Sequence, residues 1–206
     1  MQFRLLVVAL LATLTAPAQT LPILPQNPTS LRWYRVQTPH FRVLYPEGLE
    51  QQARRTAQRL EQVYEPVSAG LARRPRPLSI ILQNQTSVSN GFATLYPRRS
   101  EFFTAPPQDP SLLGTLNWLD LLAVHEYRHI VQYEKALQGY GRVLHTLLGA
   151  QGLGFATQIV TPGWFLEGDA VGTETILTNS GRGRLPAFEL NMRTNLLTRA
   201  PFSYAK

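Results

Sequence analysis

Two histidines one helical turn apart offer the clearest chemistry in this chain of 206 residues. Residues 125–129 read HEYRH, and side chains at positions i and i+4 of a helix share one face. His125 and His129 can therefore bind one metal ion, and Glu126 beside them can take a proton from a water on that ion. The spacing favours a metal site over a surface helix that carries His, Glu and His by chance.

The helix that would carry this motif is predicted to be buried. Residues 116–137 contain no Gly or Pro, which favours one continuous helix. Apolar residues occupy most of its circumference, and a helix that is apolar all round packs inside a protein. Because buried imidazoles and carboxylates need partners, a bound metal explains the motif better than coincidence does.

A second stretch, PGWFLEGDAVGTE at residues 162–174, supplies the missing ligand. Pro162 suits the start of a helix, and on a helix over 163–178 Glu167 and Glu174 lie on one face, two turns apart. We expect Glu167 to complete a His₂Glu set, which with an open fourth position is typical of catalytic Zn²⁺. Glu174 is interpreted either as a carboxylate that orients a ligand His or as an ordinary surface acid.

Other polar residues near these stretches have competing interpretations. Asp169 is the alternative third ligand, but it lies nearly opposite Glu167 on the helix, which favours a surface acid. Residues 143–160 are apolar with three glycines, and we expect a buried connection over the site, with an interfacial membrane segment as the alternative. His145 within them is expected to be a core or loop residue and not a ligand.

The two stretches together resemble a known group of proteins. HExxH followed at a distance by W-x-x-E-G-x-A is similar to the gluzincin zinc peptidases, and within them to the aminopeptidase N-like branch. The resemblance implies His125, His129 and Glu167 as ligands of Zn²⁺, Glu126 as catalytic base and Glu174 as the residue that orients a ligand. The stretches NGFATLYPRRSEFFTAPPQ, HEYRHIVQ and WFLEGDAVGTETILTNSGRGRLPAF also look like the N-terminal peptidase-like domain of secreted bacterial proteins, many of which continue into a C-terminal β-propeller.

Two differences from related peptidase families limit the kind of peptidase that the sequence predicts. Gln132 and Lys135 stand where metzincins have Gly and His, so that family is excluded. The G-x-M-E-N signature of aminopeptidases is absent too, so the choice between endopeptidase and aminopeptidase stays open. We expect zinc-dependent hydrolysis of a peptide or protein substrate. Glu101 is the one candidate to hold a free amine.

Catalysis would need further groups around the zinc. The developing oxyanion requires a donor beyond the metal, and three tyrosines are candidates: Tyr96, Tyr140 and Tyr204. A substrate backbone would pair with an edge strand of the sheet. The candidate strands for this pairing are residues 92–96 and 101–104.

The remaining patterns predict an α+β fold. Short alternating or apolar segments predict five strands, at residues 33–36, 41–45, 78–82, 92–96 and 101–104. Helical spacing predicts a helix over 48–72, which Pro66 should kink or end. The resemblance makes the fold zincin-like: a small mixed sheet with an edge strand over the HExxH helix, followed by a mostly helical part.

The first 18 residues predict a secretory signal peptide, with a basic start, an apolar run and a small-residue cleavage site. A membrane anchor is the weaker alternative, because the apolar run is far shorter than the ~20 residues that span a bilayer. Residues 19–206 then form one zincin-like domain of an exported bacterial protein. Residues 179–206 end without a closing signal, which indicates a longer protein cut at this point.

Composition limits the other function classes. The chain has no cysteine, so no thiolate can act as ligand or nucleophile. Its net charge is +7, but no nucleic-acid motif accompanies the charge, and nucleic acid is not expected as a partner. Attraction to an anionic membrane surface stays open. Two alternatives to the enzyme remain: a catalytically retired zinc-binding recognition or scaffold domain, and a basic polyanion-binding protein with a fortuitous motif.

Overall fold

The structure is a computed structural model that describes residues 27–109 and 113–198. All the elements below belong to the second of the two units into which the chain divides, Leu31–Lys206. The predicted signal peptide at residues 1–18 lies outside the described residues, as do residues 199–206 with Tyr204.

Five strands form an open mixed sheet, as the sequence predicts. Their bounds are Trp33–Gln37 (β1), Phe41–Pro46 (β2), Leu78–Gln83 (β3), Gly91–Thr94 (β4) and Arg99–Phe103 (β5). The order across the sheet is β1-β2-β3-β5-β4. The three central strands β2, β3 and β5 run parallel, and both outer strands are antiparallel to their neighbours. Strand β4 is therefore a free edge, while β5 is an interior strand.

Helix α1, Glu50–Ala69, is the crossover that joins the parallel strands β2 and β3. Pro66 does not end this helix, which runs on to Ala69. Pro66 stands in the last turn, so its missing N–H removes one i→i−4 hydrogen bond close to the end of the helix. Val63 and Val67 on either side of it are buried and hold this turn on the core.

Helix α2, Trp118–Ala136, carries the HEYRH motif and is buried as predicted. Asn117 begins the helix, and its side-chain oxygen accepts a hydrogen bond from the Leu119 N–H at 3.1 Å, as expected of an N-cap. Between residues 121 and 132 every side chain is buried. Apolar residues of α1, α2 and the inner sheet face form one core. The polar residues of α2 are therefore fixed in position.

The rest of the described chain is helical: α3 (Tyr140–Val160), α4 (Gly163–Leu177), a 3₁₀ turn (Arg182–Arg184) and α5 (Leu190–Thr198). The helix predicted over 163–178 is confirmed as α4. Burial of residues 143–160 is not, because in α3 Leu147 is 74% exposed and Leu148 is 61% exposed. A break at Gly149, with φ of 70°, divides α3. None of the helices in the described ranges is long and apolar enough to cross a bilayer.

Arg128 fastens α4 to the rest of the domain. Its Nε and Nη2 donate to the two carboxylate oxygens of Asp169 on α4, at 2.7 and 2.8 Å. Its Nη1 donates to the Val67 carbonyl on α1 at 2.8 Å. This two-point geometry is the strong form of an Arg–carboxylate pair, and the Arg128 side chain is only 7% exposed. One buried guanidinium thus joins three helices.

Replacing Asp169 with Ala should destabilise the zinc-free protein by about 3 kcal/mol, because Arg128 would stay buried without its counter-charge. Urea unfolding monitored by circular dichroism measures the change in the free energy of unfolding. Glu65→Ala is the matched control, since it breaks the exposed pair with Arg74 and should change stability little. Equal effects of the two substitutions would contradict the role given to the Arg128–Asp169 pair.

Candidate metal centre

Helices α2 and α4 bring three donor groups together. The Nε2 atoms of His125 and His129 lie 3.2 Å apart. The Glu167 carboxylate straddles them, with Oε2 3.3 Å from His125 Nε2 and Oε1 3.4 Å from His129 Nε2. Both imidazoles are buried, whereas the Glu167 side chain is 62% exposed. Within the described residues this is the only group of three such side chains that could hold a metal ion.

These separations suit a zinc ion. Nitrogen and oxygen ligands bind zinc at about 2.0–2.1 Å in a tetrahedral arrangement, which places any two of them about 3.3 Å apart. The 3.2 Å between the two Nε2 atoms agrees with that value, and each nitrogen has one oxygen of the Glu167 carboxylate at 3.3 or 3.4 Å. Residues from two helices therefore present three side chains that could hold one metal ion, and all three line the cleft described below.

A glutamine fixes the ring orientation of His129. The Gln132 amide nitrogen donates to the Leu166 carbonyl at 2.9 Å and to Asp169 Oδ2 at 2.7 Å. Its oxygen must then face His129 Nδ1, which lies 2.9 Å away, so Nδ1 carries the proton and Nε2 presents its lone pair. Burial holds the pKa of His129 below its usual value, which favours the neutral, metal-binding form.

His125 has two partners at Nδ1 that make opposite demands. Glu174 Oε2 lies 3.1 Å away and accepts a proton from Nδ1, while Arg182 Nη2 lies 2.7 Å away and can only donate. The proton on Nδ1 leaves the Nε2 lone pair free for a metal; the other tautomer turns an N–H toward Glu167. Glu174 is fully buried, and it is the partner that favours the metal-binding tautomer, whereas Arg182 favours the other.

Arg182 also controls the charge of Glu174. Burial alone would raise the pKa of Glu174, but hydrogen bonds from His125 and Arg182 outweigh it and hold that pKa below its usual value. The Arg182 Nε–Oε1 and Nη2–Oε2 distances are 2.6 and 3.0 Å. Glu174 therefore remains a carboxylate next to the two histidines, as the interpretation of it as an orienting residue requires.

Glu126 lies in the same cleft, against the free edge of the sheet. Its side chain is 4% exposed, and burial raises the pKa of its carboxyl to about 7. Strand β4 approaches it so closely that a methyl group on Gly91 would lie 3.0 Å from Glu126 Oε1 and 2.6 Å from Leu122. Glycine at position 91 is thus required for this contact, and a carboxyl near neutral pKa suits proton transfer at physiological pH.

A cleft of about 680 Å³ exposes these groups to solvent. Its walls are the β4 edge, the start of α4 and one face of α2, and it reaches Arg182 at one end. Trp118, Leu121 and Phe92 give it an apolar side. This volume is typical of a small-molecule or peptide site.

Several expectations about the surroundings of the site are wrong. Tyr96 and Tyr140 are 84% and 90% exposed and do not line the cleft, so neither can serve as the donor to an oxyanion. Glu101 is buried on the interior strand β5 and accepts hydrogen bonds from Gln83 and Arg99 at 2.9 and 2.6 Å. Its carboxylate already has partners, which removes it as a ligand for a free amine.

Asp169 is not the ordinary surface acid that the sequence favoured. Its oxygens accept hydrogen bonds from Arg128 and Gln132, and the Arg128 hydrogen bonds, the largest cause, hold the pKa of its carboxyl below the usual value. It belongs to no group of metal donors in the described chain. Asp169 lies nearly opposite Glu167 on α4, so the two acids have different partners: Asp169 contacts Arg128 and Gln132, and Glu167 contacts the histidines.

Among the residues of the site that sequence reasoning missed are Gly91, Arg128, Gln132 and Arg182. Two of them carried a usable signal, since Arg128 and Gln132 are polar positions in a helix predicted to be buried and must find partners. Gly91 and Arg182 carried none, because their contacts depend on how distant segments fold together. His145, expected not to be a ligand, is half-buried and outside the donor group.

Comparison of the chain with protein-family models, curated proteins and solved structures finds no match. The interpretation of the site therefore depends on its own geometry and chemistry.

Replacing Gln132 with Leu should weaken zinc binding by about 10–100-fold, because His129 would lose the hydrogen bond that fixes its tautomer and ring orientation. Competition with a chromophoric chelator measures the affinity, and thermal melting of the zinc-free variant checks its fold. Gln62→Leu on the exposed side of α1 is the matched control and should bind zinc like the wild type. An unchanged affinity in folded Gln132→Leu protein would contradict the assignment.

Proposed function

We propose that this protein is a zinc-dependent peptide hydrolase. The observation that carries the proposal is the set of donor distances, 3.2 to 3.4 Å, among His125, His129 and Glu167, with Glu126 buried beside them in the cleft. The proposal includes a relationship to the gluzincin peptidases and a zincin-like fold. It is supported by the edge strand β4 alongside the helix that carries both histidines.

His125, His129 and Glu167 would hold the ion, and Glu174 and Gln132 would orient the two rings. A bound zinc ion would supply a Lewis acid that polarises a carbonyl and lowers the pKa of water toward ~7. Glu126 then takes the proton from the attacking water and delivers it to the amine that leaves when the C–N bond breaks. Its pKa of about 7 suits a group that must both accept and release a proton.

The substrate would bind along β4 as an added strand. Of the two candidates from the sequence, β5 is enclosed between β3 and β4, so only β4 can pair with a peptide. Its Gly91, Phe92 and Ala93 line the cleft, and backbone groups of an edge strand are free to bond a new strand. An extended peptide paired there would pass over Glu126 and the donor group.

The buried Glu126 favours the enzyme over a retired recognition domain, since a buried carboxyl without a chemical task only costs stability. We further propose that the protein is exported through the signal peptide at residues 1–18. Its partner would be a peptide or protein substrate, and the proposal includes a likeness to the secreted bacterial proteins that carry a C-terminal β-propeller.

Glu126→Gln should abolish hydrolysis while zinc stays bound, because the amide keeps the shape of the base but cannot take a proton. Turnover is measured on casein and a panel of fluorogenic peptides, and zinc by atomic absorption. Glu167→Gln is the contrasting variant and should lose zinc as well as activity, since it removes the anionic ligand. Hydrolysis by zinc-loaded Glu126→Gln would exclude Glu126 as the base, and a folded wild type that binds no zinc would overturn the proposal.

The rate should fall with decreasing pH as Glu126 becomes protonated. Burial raises its pKa to about 7 and a bound cation lowers it, so half of the maximal kcat/KM should be lost at or below pH ~7, with about a tenfold further loss per pH unit below that point. Zinc content measured over the same pH range separates this titration from loss of the metal. A rate that rises below pH 6 with zinc still bound would contradict the base.

A further inference from the structure

Tyr133 is a polar group of the cleft that the proposed mechanism does not use. It stands one turn after His129 and two turns after Glu126 on α2, and it lines the same cleft. Side chains of a helix lean toward its N-terminus, so the tyrosine ring extends back toward the level of the metal donors. Its hydroxyl donates to the Ala93 carbonyl on β4, at 3.4 Å, which is a long and weak hydrogen bond.

The carbonyl that Tyr133 contacts belongs to the free edge of the sheet. In an antiparallel pair, residues alternate between bonding the neighbouring strand and facing away from it. The Phe103 N–H donates to the Asn90 carbonyl at 3.0 Å, and Phe92 lies opposite Glu101. Asn90, Phe92 and Thr94 thus point their backbone groups at β5. Gly91 and Ala93 point theirs outward.

A peptide that adds to β4 as a strand therefore needs the Ala93 carbonyl, which already accepts the hydrogen bond from Tyr133. A peptide paired with β4 would donate a backbone N–H to the Ala93 oxygen. Because the hydrogen bond from Tyr133 is weak, the peptide can displace it. The aromatic ring of Tyr133 is packed against the core. The released hydroxyl therefore stays beside the bound peptide, and only its O–H bond turns.

The hydroxyl also keeps its proton in this environment. Burial raises the pKa of Tyr133, and the negative charges of Glu126 and Glu167 raise it further. Tyr133 is thus a donor throughout the working pH range, within the electrostatic reach of the proposed base and of the exposed ligand. A neutral donor in such a position can stabilise negative charge on a substrate oxygen.

We propose that Tyr133 is a substrate-contacting catalytic residue: its hydroxyl rests on the Ala93 carbonyl in the free protein, is displaced when peptide pairs with β4, and then donates to the carbonyl oxygen of the bound peptide as charge develops there. This inference rests on the proposed function. It couples strand pairing to catalysis, because the donor becomes available only when the edge is filled.

Tyr133→Phe tests both parts, with Tyr34→Phe on the remote strand β1 as the matched control. The probes are the panel peptide that zinc-loaded wild type cleaves fastest and its phosphinic analogue, in which a PO₂–CH₂ group replaces the scissile amide. For Tyr133→Phe we expect kcat to fall by about 100-fold with KM little changed, and binding of the phosphinic analogue to weaken to a similar extent. The same peptide should bind zinc-free Tyr133→Phe as well as wild type or up to about tenfold tighter, since the hydroxyl no longer competes for Ala93.

The outcomes separate the inference from the function on which it rests. Wild-type hydrolysis that depends on Glu126, together with an unchanged kcat in Tyr133→Phe, would overturn the inference alone. Weaker binding of the peptide to zinc-free Tyr133→Phe, with a raised KM, would assign Tyr133 to holding β4 against α2 and overturn it too. A wild type that hydrolyses none of the panel would overturn both. Tyr34→Phe should behave like the wild type in every assay.

Discussion

The site depends on the requirement that polar groups on a buried helix find partners. Helix α2 is enclosed between residues 121 and 132, yet this stretch includes His125, Arg128 and Gln132. Each of them bonds to a neighbouring element, and α4 or the segment after it supplies partners for all three. Helix α4 can satisfy them together in only one register, because a shift of one residue would turn its acids away from α2. The same register brings Glu167 to the histidines.

The acidic residues of the site differ in burial and in partners because α4 docks on α2 in this register. Glu174 is fully buried and paired with His125 and Arg182, Asp169 is half-buried and paired with Arg128 and Gln132, and Glu167 is mostly exposed. The first two are structural and orienting groups, whose hydrogen bonds hold the pKa of each below its ordinary value. Glu126 differs from them: burial dominates and raises its pKa to about 7. One small region thus holds acids suited to different tasks.

Local sequence patterns were sufficient to predict much of the fold. The strands and helices could be predicted from alternation, helical spacing and the absence of Gly and Pro. The three candidate metal donors could be predicted from their spacing along two helices. The wrong predictions concern residues whose surroundings depend on segments far away in the sequence. Asp169 looked like a surface acid because its partner is 41 residues away on α2, and residues 143–160 looked buried because apolar composition does not say whether another element covers a helix. Tyr133 was overlooked for the same reason, since its role depends on the pairing pattern of β4.

The exposure of Glu167 would give an ion bound at this site a route in and out. The two imidazoles are buried and held by Glu174 and Gln132, whereas the Glu167 side chain is 62% exposed on the outer turn of α4. The carboxylate can rotate away while both nitrogens stay in place, so an ion held as proposed would be able to leave without any unfolding of α2. Exchange of the proposed ion would then require the rotation of one exposed side chain and no change in the buried helix.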